Sequence, residues 1–465
     1  MPFTQELAEW VAQAPRSWSP EAIDAAERAI ADTIACIIAG AGDDAPLRVM
    51  RGLGAWGSHG LASAAGRSTG LDAPWAALLN GTAAHALDYD DVLDPAASHA
   101  SAVMAPALLA LAEEVDASGA DLVDAYIVGI EVQECLAEAV NMVHYTRGWH
   151  TTLTLGAPSA AAACARLLRL PAAQARNAIS LAASMAAGFK RQFGTNAKPF
   201  HAGLGAKSGI VAARMAGAGL TADAAVFEGE RGFGDLMVGA GAAGFSPAIL
   251  ARLRSGPPAV LAPGLWLKRY PCCASTHRPV DAFLALAREH GLRAADIERV
   301  DTLVSDAAVG NLMYREPVNE MQARFSMPYC IAAAAHDGDL KLATFNMAAL
   351  QRAELAQFMP RVDMQSDPEQ PADMPSTVKS WGTTTILTHD GRRFSKTVVD
   401  PKGYPDNALD EGELARKFAD CARGQPDGVL QSYPAWREIA GQSRLRPLCA
   451  ILQQVGRPDG AAKEV

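Results

Sequence analysis

The segment NGTAAHALDYDDVLDPAASHAS, residues 80–101, places His85, Asp88, Asp90, Asp91, Asp94 and His99 directly before an Ala-rich stretch. Like charges at such density are costly unless one is protonated, paired or used on a ligand, which marks a candidate site. A polar helix boundary would use the same residue types. An EF-hand would not, because it needs alternating oxygen ligands, a central Gly and a Glu at the twelfth position. Three further segments hold groups that move protons or bind anions. HYTRGWHTT (144–152) brings Tyr145, Arg147 and His150 together. Arg offers a planar fork for a carboxylate, while Tyr and His exchange protons. KRQFGTNAKPFHAGLGAKSG (190–209) puts Lys198 and His201 three apart at a helix start. LKRYPCCASTHRPVDA (267–282) holds Lys268, Tyr270, adjacent cysteines and His277. A Cys–His nucleophile there would need a depressed thiol pKa and an oxyanion site, and buried structural cysteines are the plainer reading.

These groups need rigid elements behind them. Ser19-Pro20-Glu21 starts a helix: a hydroxyl for an orphan amide, Pro at the first helical position, and an acid at the positive dipole end. Ile23, Ala26, Ile30, Ile34 and Ile37 then recur at helical spacing up to Gly40. Segments 102–115, 122–140, 157–168, 172–188 and 203–217 are Ala-rich and of helical length, so residues 1–265 are expected to form a large all-helical domain. The texture changes near Pro257-Pro258. Residues 297–305 alternate as a strand does, and 377–399 reads as a hairpin around Asp390-Gly391. A smaller α+β domain with an antiparallel sheet is therefore expected within 266–399. Residues 365–375 are expected as a polar loop, and 400–465 as a helical return to the first domain. The fold class is mainly α, in two domains.

Composition excludes several functions. A net charge of −10 and a pI near 5.5, with no dense Lys/Arg run, argue against nucleic acid. The first residues lack a signal peptide's basic start and apolar run, and the apolar tracts are Ala and Gly, so a cytoplasmic protein without membrane spans is expected. Eight scattered cysteines fit neither a disulfide framework nor Cys-x-x-Cys metal spacing. Neither G-x-G-x-x-G after a strand nor a Walker loop is present, so no nucleotide cofactor is expected, and no metal.

In order, NGTAAHALDYDD, His99-Ala100-Ser101 with Pro106-Ala107, GWHTT, FGTNAKPFHAG, KRYPCCASTH and RFSMPY (324–329) resemble the motifs of the MmgE/PrpD family. The resemblance spans roughly residues 5–430. It implies a homodimer, with a helical domain built from both ends of the chain and a smaller domain closing over the site. It also implies a small di- or tricarboxylate substrate, with Asp88, His99, His150, Lys198 and Lys268 in the cleft. His277 and Arg324 join Arg147 and His201 as expected substrate-binding residues.

Known activities of that family include 2-methylcitrate dehydration, cis-aconitate decarboxylation and iminodisuccinate epimerisation. Val92-Leu93 stands where the first two activities carry Thr-Trp, and Thr151 stands where Pro is common. On those departures the expected activity is cofactor-independent epimerisation of an iminodisuccinate-like aminodicarboxylate, with Tyr145 and Lys268 or Lys198 as the proton-transfer pair. A dehydratase of a 2-methylcitrate-like hydroxy acid and a noncatalytic polycarboxylate-binding protein are the alternatives.

Overall fold

The computed structural model describes residues 2–370 and 379–456, except the side chain of Asn141. The expected first helix forms as Pro20–Gly40, and the Ser19 side chain accepts from the Ala22 amide at 3.2 Å. The Ala-rich segments become helices Ser101–Val115, Gly119–Thr146, Gly156–Leu167, Ala172–Ala183 and Ala197–Gly217. Two differ from expectation in ways that matter. The third-from-last of these, Gly156–Leu167, keeps its expected limits closely, but Gly119–Thr146 runs on to include His144 and Tyr145. Ala172–Ala183 stops short of 188 because the chain turns there and Gly188 takes φ 101°.

Small residues let these helices touch backbone to backbone. Helices Ala73–Ala86 and Ala197–Gly217 cross where Gly81 faces Gly203. A Cβ on Gly203 would lie 2.2 Å from the Leu78 carbonyl oxygen. Close approach here sets where Asp88 and Lys198 can meet, since each lies next to this crossing in the chain.

One apolar core gathers residues from Phe3 to Leu267 and then Leu409 to Val455; a second gathers Tyr270 to Ile386, with Phe193 added. The helix Glu411–Cys421 inserts Leu414 and Phe418 into the first core. Its Lys417 ion-pairs with Asp32 at 2.7 Å and donates to the carbonyls of Tyr89 (2.8 Å) and Lys268 (2.9 Å). The C-terminal part of the chain thereby fastens two of the candidate segments to each other.

Beside the second core lies a four-stranded sheet: β1 (Ile297–Val304), β2 (Val362–Ser366), β3 (Gly382–Thr388) and β4 (Arg393–Val398), in the order β2-β1-β3-β4. The expected hairpin is β3–β4, turning through Gly391 at φ 83°. The sheet is mixed rather than purely antiparallel, because β2 pairs parallel with β1. Sequence reading missed β2 since VDMQS carries little apolar alternation; at a sheet edge only its first residue is fully buried. Residues 371–378, part of the expected loop and the start of the hairpin segment, and 457–465 of the expected return lie outside the described residues.

Among the described residues, no helix is long and apolar enough to cross a membrane. The eight cysteines are free and buried. Gly203→Ala is expected to lower stability by about 1–3 kcal/mol through overpacking. Urea denaturation of the two proteins checks this, with an unchanged midpoint as the contrary result.

Candidate active site

Helix Ala73–Ala86 carries His85 in its last turn, and the chain then turns sharply enough that Asp88 adopts φ 51°, a left-handed conformation that Asp tolerates better than most residues. This turn presents both the carbonyl and the carboxylate of Asp88 to Lys268 Nζ, at 2.8 and 2.9 Å. Lys198, in the first turn of its helix, reaches the same Asp88 Oδ1 at 3.1 Å and His85 Nε2 at 2.7 Å. His85 Nδ1 lies 2.9 Å from Asp90. As Lys198 can only donate, His85 Nε2 accepts and Nδ1 carries the proton that goes to Asp90. Burial opposes ionisation of Asp88, yet Lys198 and Lys268 outweigh it and hold the carboxyl well below its usual range. Lys198 is lowered from the usual lysine value, by burial first and by Lys268, with Asp88 opposing. Lys268 moves up instead: burial works against its charge, but Asp88 and Asp90 prevail.

Three more histidines surround this network. His99 Nδ1 is 3.1 Å from Asp90 Oδ2, and its ring centre is 4.1 Å from that of His85. Burial lowers His99 to about 3 despite Asp90. His150 Nδ1 contacts His201 Nδ1 at 2.9 Å, while His150 Nε2 is buried without a hydrogen-bond partner among the described residues. Burial and then Lys198 hold His150 well below the usual imidazole value; burial and His85 lower His201 to about 4. One of the paired Nδ1 atoms must carry a proton, so His150 Nε2 is either a donor or a bare acceptor according to the tautomer.

A cavity of about 170 Å³ opens on this network. Asp88, His99, Tyr145, His150 and Lys198 line it, as do Asp94, Cys273, Arg278 and Asn311. Tyr145 donates to Asn311 Oδ1 at 3.0 Å, and Asn311 Nδ2 donates to Ser275 at 3.2 Å. The second core's side of the molecule thus supplies part of the wall. Burial raises Tyr145 far above the usual phenol value, so it keeps its proton.

The remaining expected site residues stand elsewhere. Lys268 is fully buried behind Asp88, and His201 sits behind His150. Arg147 is exposed at the C-cap of its helix. His277 is enclosed by Trp266 and Tyr270, and Arg324 lies buried near the Phe345 ring; neither lines the cavity. The guanidinium on the wall is that of Arg278, adjacent in sequence to His277 and overlooked there. His85 and Asp90 belong to the candidate cluster of the sequence without an expected role of their own; the fold sets them against Lys198 and His99. Cys273 lines the cavity, but burial and then Asp88 raise its thiol to about 11, which disfavours nucleophilic use.

His85, Asp88, Asp90 and His99 bring ligand atoms within 4.8 Å of one another, a spacing that could hold a metal ion. The donors do not suit one. Two ammonium groups already occupy Asp88 and one occupies His85 Nε2, so a further cation would meet their repulsion at close range.

The buried neutral histidines have a stability consequence. An unfolded His takes up a proton below about 6.5, whereas folded His201 stays neutral down to about 4. The unfolded state therefore binds more protons between these values, and this residue's contribution to stability falls as pH falls through the window. His201→Gln is expected to flatten the loss of stability between pH 6.5 and 4 relative to the parent. Denaturant midpoints across that range test it; parallel curves would refute the neutral assignment.

The chain matches the MmgE/PrpD N-terminal domain over residues 5–246 and the MmgE/PrpD C-terminal domain over residues 270–431. It is 30% identical over 358 residues to human cis-aconitate decarboxylase, covering 75% of this chain and 72% of that protein. Cis-aconitate decarboxylase of Mus musculus is 29% identical, with 75% and 71% covered. That of Aspergillus terreus is 25% identical over 453 residues, with 91% and 90% covered. These relatives overturn the leaning toward iminodisuccinate epimerase that Val92-Leu93 and Thr151 suggested. Val92 has a structural reason of its own, since its backbone pairs with Trp266 and its side chain packs against Trp266 and Tyr404. With both halves matched in order, this chain belongs to the MmgE/PrpD family.

Proposed function

We propose that this protein is a lyase that decarboxylates a small unsaturated tricarboxylate of the cis-aconitate type. The observation that carries the reading is Lys198: a buried ammonium of lowered pKa on the cavity wall, near a His150 whose Nε2 has no hydrogen-bond partner among the described residues. The similarity to cis-aconitate decarboxylases supplies the substrate class.

In such a reaction the carboxylate on the saturated carbon leaves as CO₂. Its bonding pair forms a new terminal double bond. The former double-bond pair moves to the carbon next to the remaining conjugated carboxylate, and that carbon receives one proton. The transition state spreads negative charge over a dienolate, which a nearby cation stabilises more than it stabilises the ground state. Lys198 fits both needs, as a fixed charge and as an acid whose proton is easier to remove than that of an ordinary lysine. Asp88 aims it, and Lys268 keeps Asp88 ionised from behind. Tyr145 and His150 are the other proton carriers within the cavity, and His99 flanks Asp88 with Nε2 at 3.7 Å.

Incubation with cis-aconitate in deuterated water should release CO₂ and yield an unsaturated dicarboxylate with one deuterium on the protonated carbon. Lys198→Met should lower kcat by about 100- to 10,000-fold, with the fold retained because Lys268 still neutralises Asp88. Near-native turnover in that variant would remove Lys198 from the mechanism. Water loss from 2-methylcitrate without CO₂ release from cis-aconitate would replace the reading with a hydro-lyase, and binding without turnover of either would replace it with a binding protein.

A further inference from the structure

Among the described residues, Lys198 and Arg278 are the lysine and arginine side chains that line the cavity. A substrate with several carboxylates needs more than one such anchor. Lys198 is committed to the Asp88 and His85 end. Arg278 belongs to the helix Ala274–His290 and packs its guanidinium against the Trp266 and Tyr404 rings, at 5.2 and 5.4 Å from their centres. Its Nε donates to the Val399 carbonyl at 2.8 Å, which fixes the plane of the fork.

Its charge, however, is only loosely met. The acid beside it is Asp94, with Oδ2 3.4 Å from Nη2, long for a charge-assisted hydrogen bond. That oxygen also accepts from Tyr404 at 3.2 Å, and the Asp94 side chain is 34% exposed. No hydrogen bond to Arg278 Nη1 forms among the described residues. Arg166 shows what a saturated structural arginine looks like in the same protein. Asp124 grips it twice, at 2.7 and 3.1 Å, and carbonyls of Val11 and Ala14 take further N–H groups at 3.1 and 2.7 Å. Arg278 is as well held in place but far less satisfied, and it faces the cavity.

We propose that Arg278 is the second carboxylate anchor of this site, gripping a substrate carboxylate remote from Lys198, with Asp94 as a placeholder that yields to it. This rests on the lyase reading only for the identity of the substrate. It makes Arg278 a determinant of selectivity for polycarboxylates, since an acid with a single carboxylate would engage one anchor and leave the other paired to Asp94.

The test uses propane-1,2,3-tricarboxylate, which lacks the double bond and cannot decarboxylate by this route, in titration calorimetry with the full-length protein. Arg278→Gln should weaken its binding at least tenfold, and Arg278→Lys by less, because the charge remains but the fork is lost. Asp94→Asn keeps Arg278 and its aromatic frame while removing the competing carboxylate, so it should tighten binding several-fold. A merely structural arginine predicts the reverse, since losing its partner would loosen it. Unchanged affinity in Arg278→Gln, or weaker or unchanged affinity in Asp94→Asn, overturns the proposal; if Arg278→Gln does not fold, Asp94→Asn decides alone. These shifts in a protein that releases no CO₂ from cis-aconitate would leave the anchor standing and remove the lyase reading. CO₂ release with none of the shifts would do the opposite.

Discussion

Two ammonium groups and one carboxylate share a dry corner of this protein, and much else is arranged around them. Asp88 Oδ1 accepts from both Lys198 and Lys268, and all three side chains are at most 2% exposed. Removing any such charge from water costs several kcal/mol, and the attraction offsets this only where geometry is good and the remaining hydrogen-bonding capacity is used. The chain meets that condition from several directions. The left-handed backbone at Asp88 adds its carbonyl to the Lys268 site. His85 accepts a hydrogen bond from Lys198 at Nε2 and contacts Asp90 through Nδ1. Lys417 fastens the backbone on both sides of the pair.

The same corner explains why the histidines are neutral. Imidazoles buried beside two lysines cannot add positive charge cheaply, even with Asp90 in contact. Neutral histidines remain amphoteric, able to give or accept a proton according to tautomer, whereas imidazolium could only donate. His150 Nε2 is buried at the cavity without a hydrogen-bond partner among the described residues. On the proposed reading Lys198 supplies charge and a proton, while the neutral histidines beside it stay able to exchange one.

The smaller, sheet-containing part of the molecule contributes by position rather than by acid–base chemistry. Asn311, itself donating to Ser275, holds the Tyr145 hydroxyl, and Arg278 brings a guanidinium to the wall. Two expected contributors from the same region, His277 and Arg324, instead pack against rings in the interior. A His or Arg in a motif thus does not announce which way it points.

What the sequence determined by itself was local. The Ser19-Pro20 helix start, the Ala-rich helices, the Asp390-Gly391 hairpin and the ordered motifs around Asp88, His150, Lys198 and Lys268 all depend on neighbours within a few residues, so short-range rules reach them. Tertiary structure decided what long-range contact decides. Strand β2 exists because β1 offers it a parallel edge, not because VDMQS looks like a strand. Lys198 was brought to Asp88 by the crossing of two glycine-bearing helices, and Lys268 by the segment whose carbonyl Lys417 holds beside that of Tyr89. Arg147 went to solvent while Arg278, one residue beyond a noticed histidine, went to the cavity. The choice between epimerase and lyase chemistry turned on Val92 and Thr151 in the sequence; in the fold Val92 answers to Trp266 and Tyr404, because a side chain's role is set by what the folded chain packs against it.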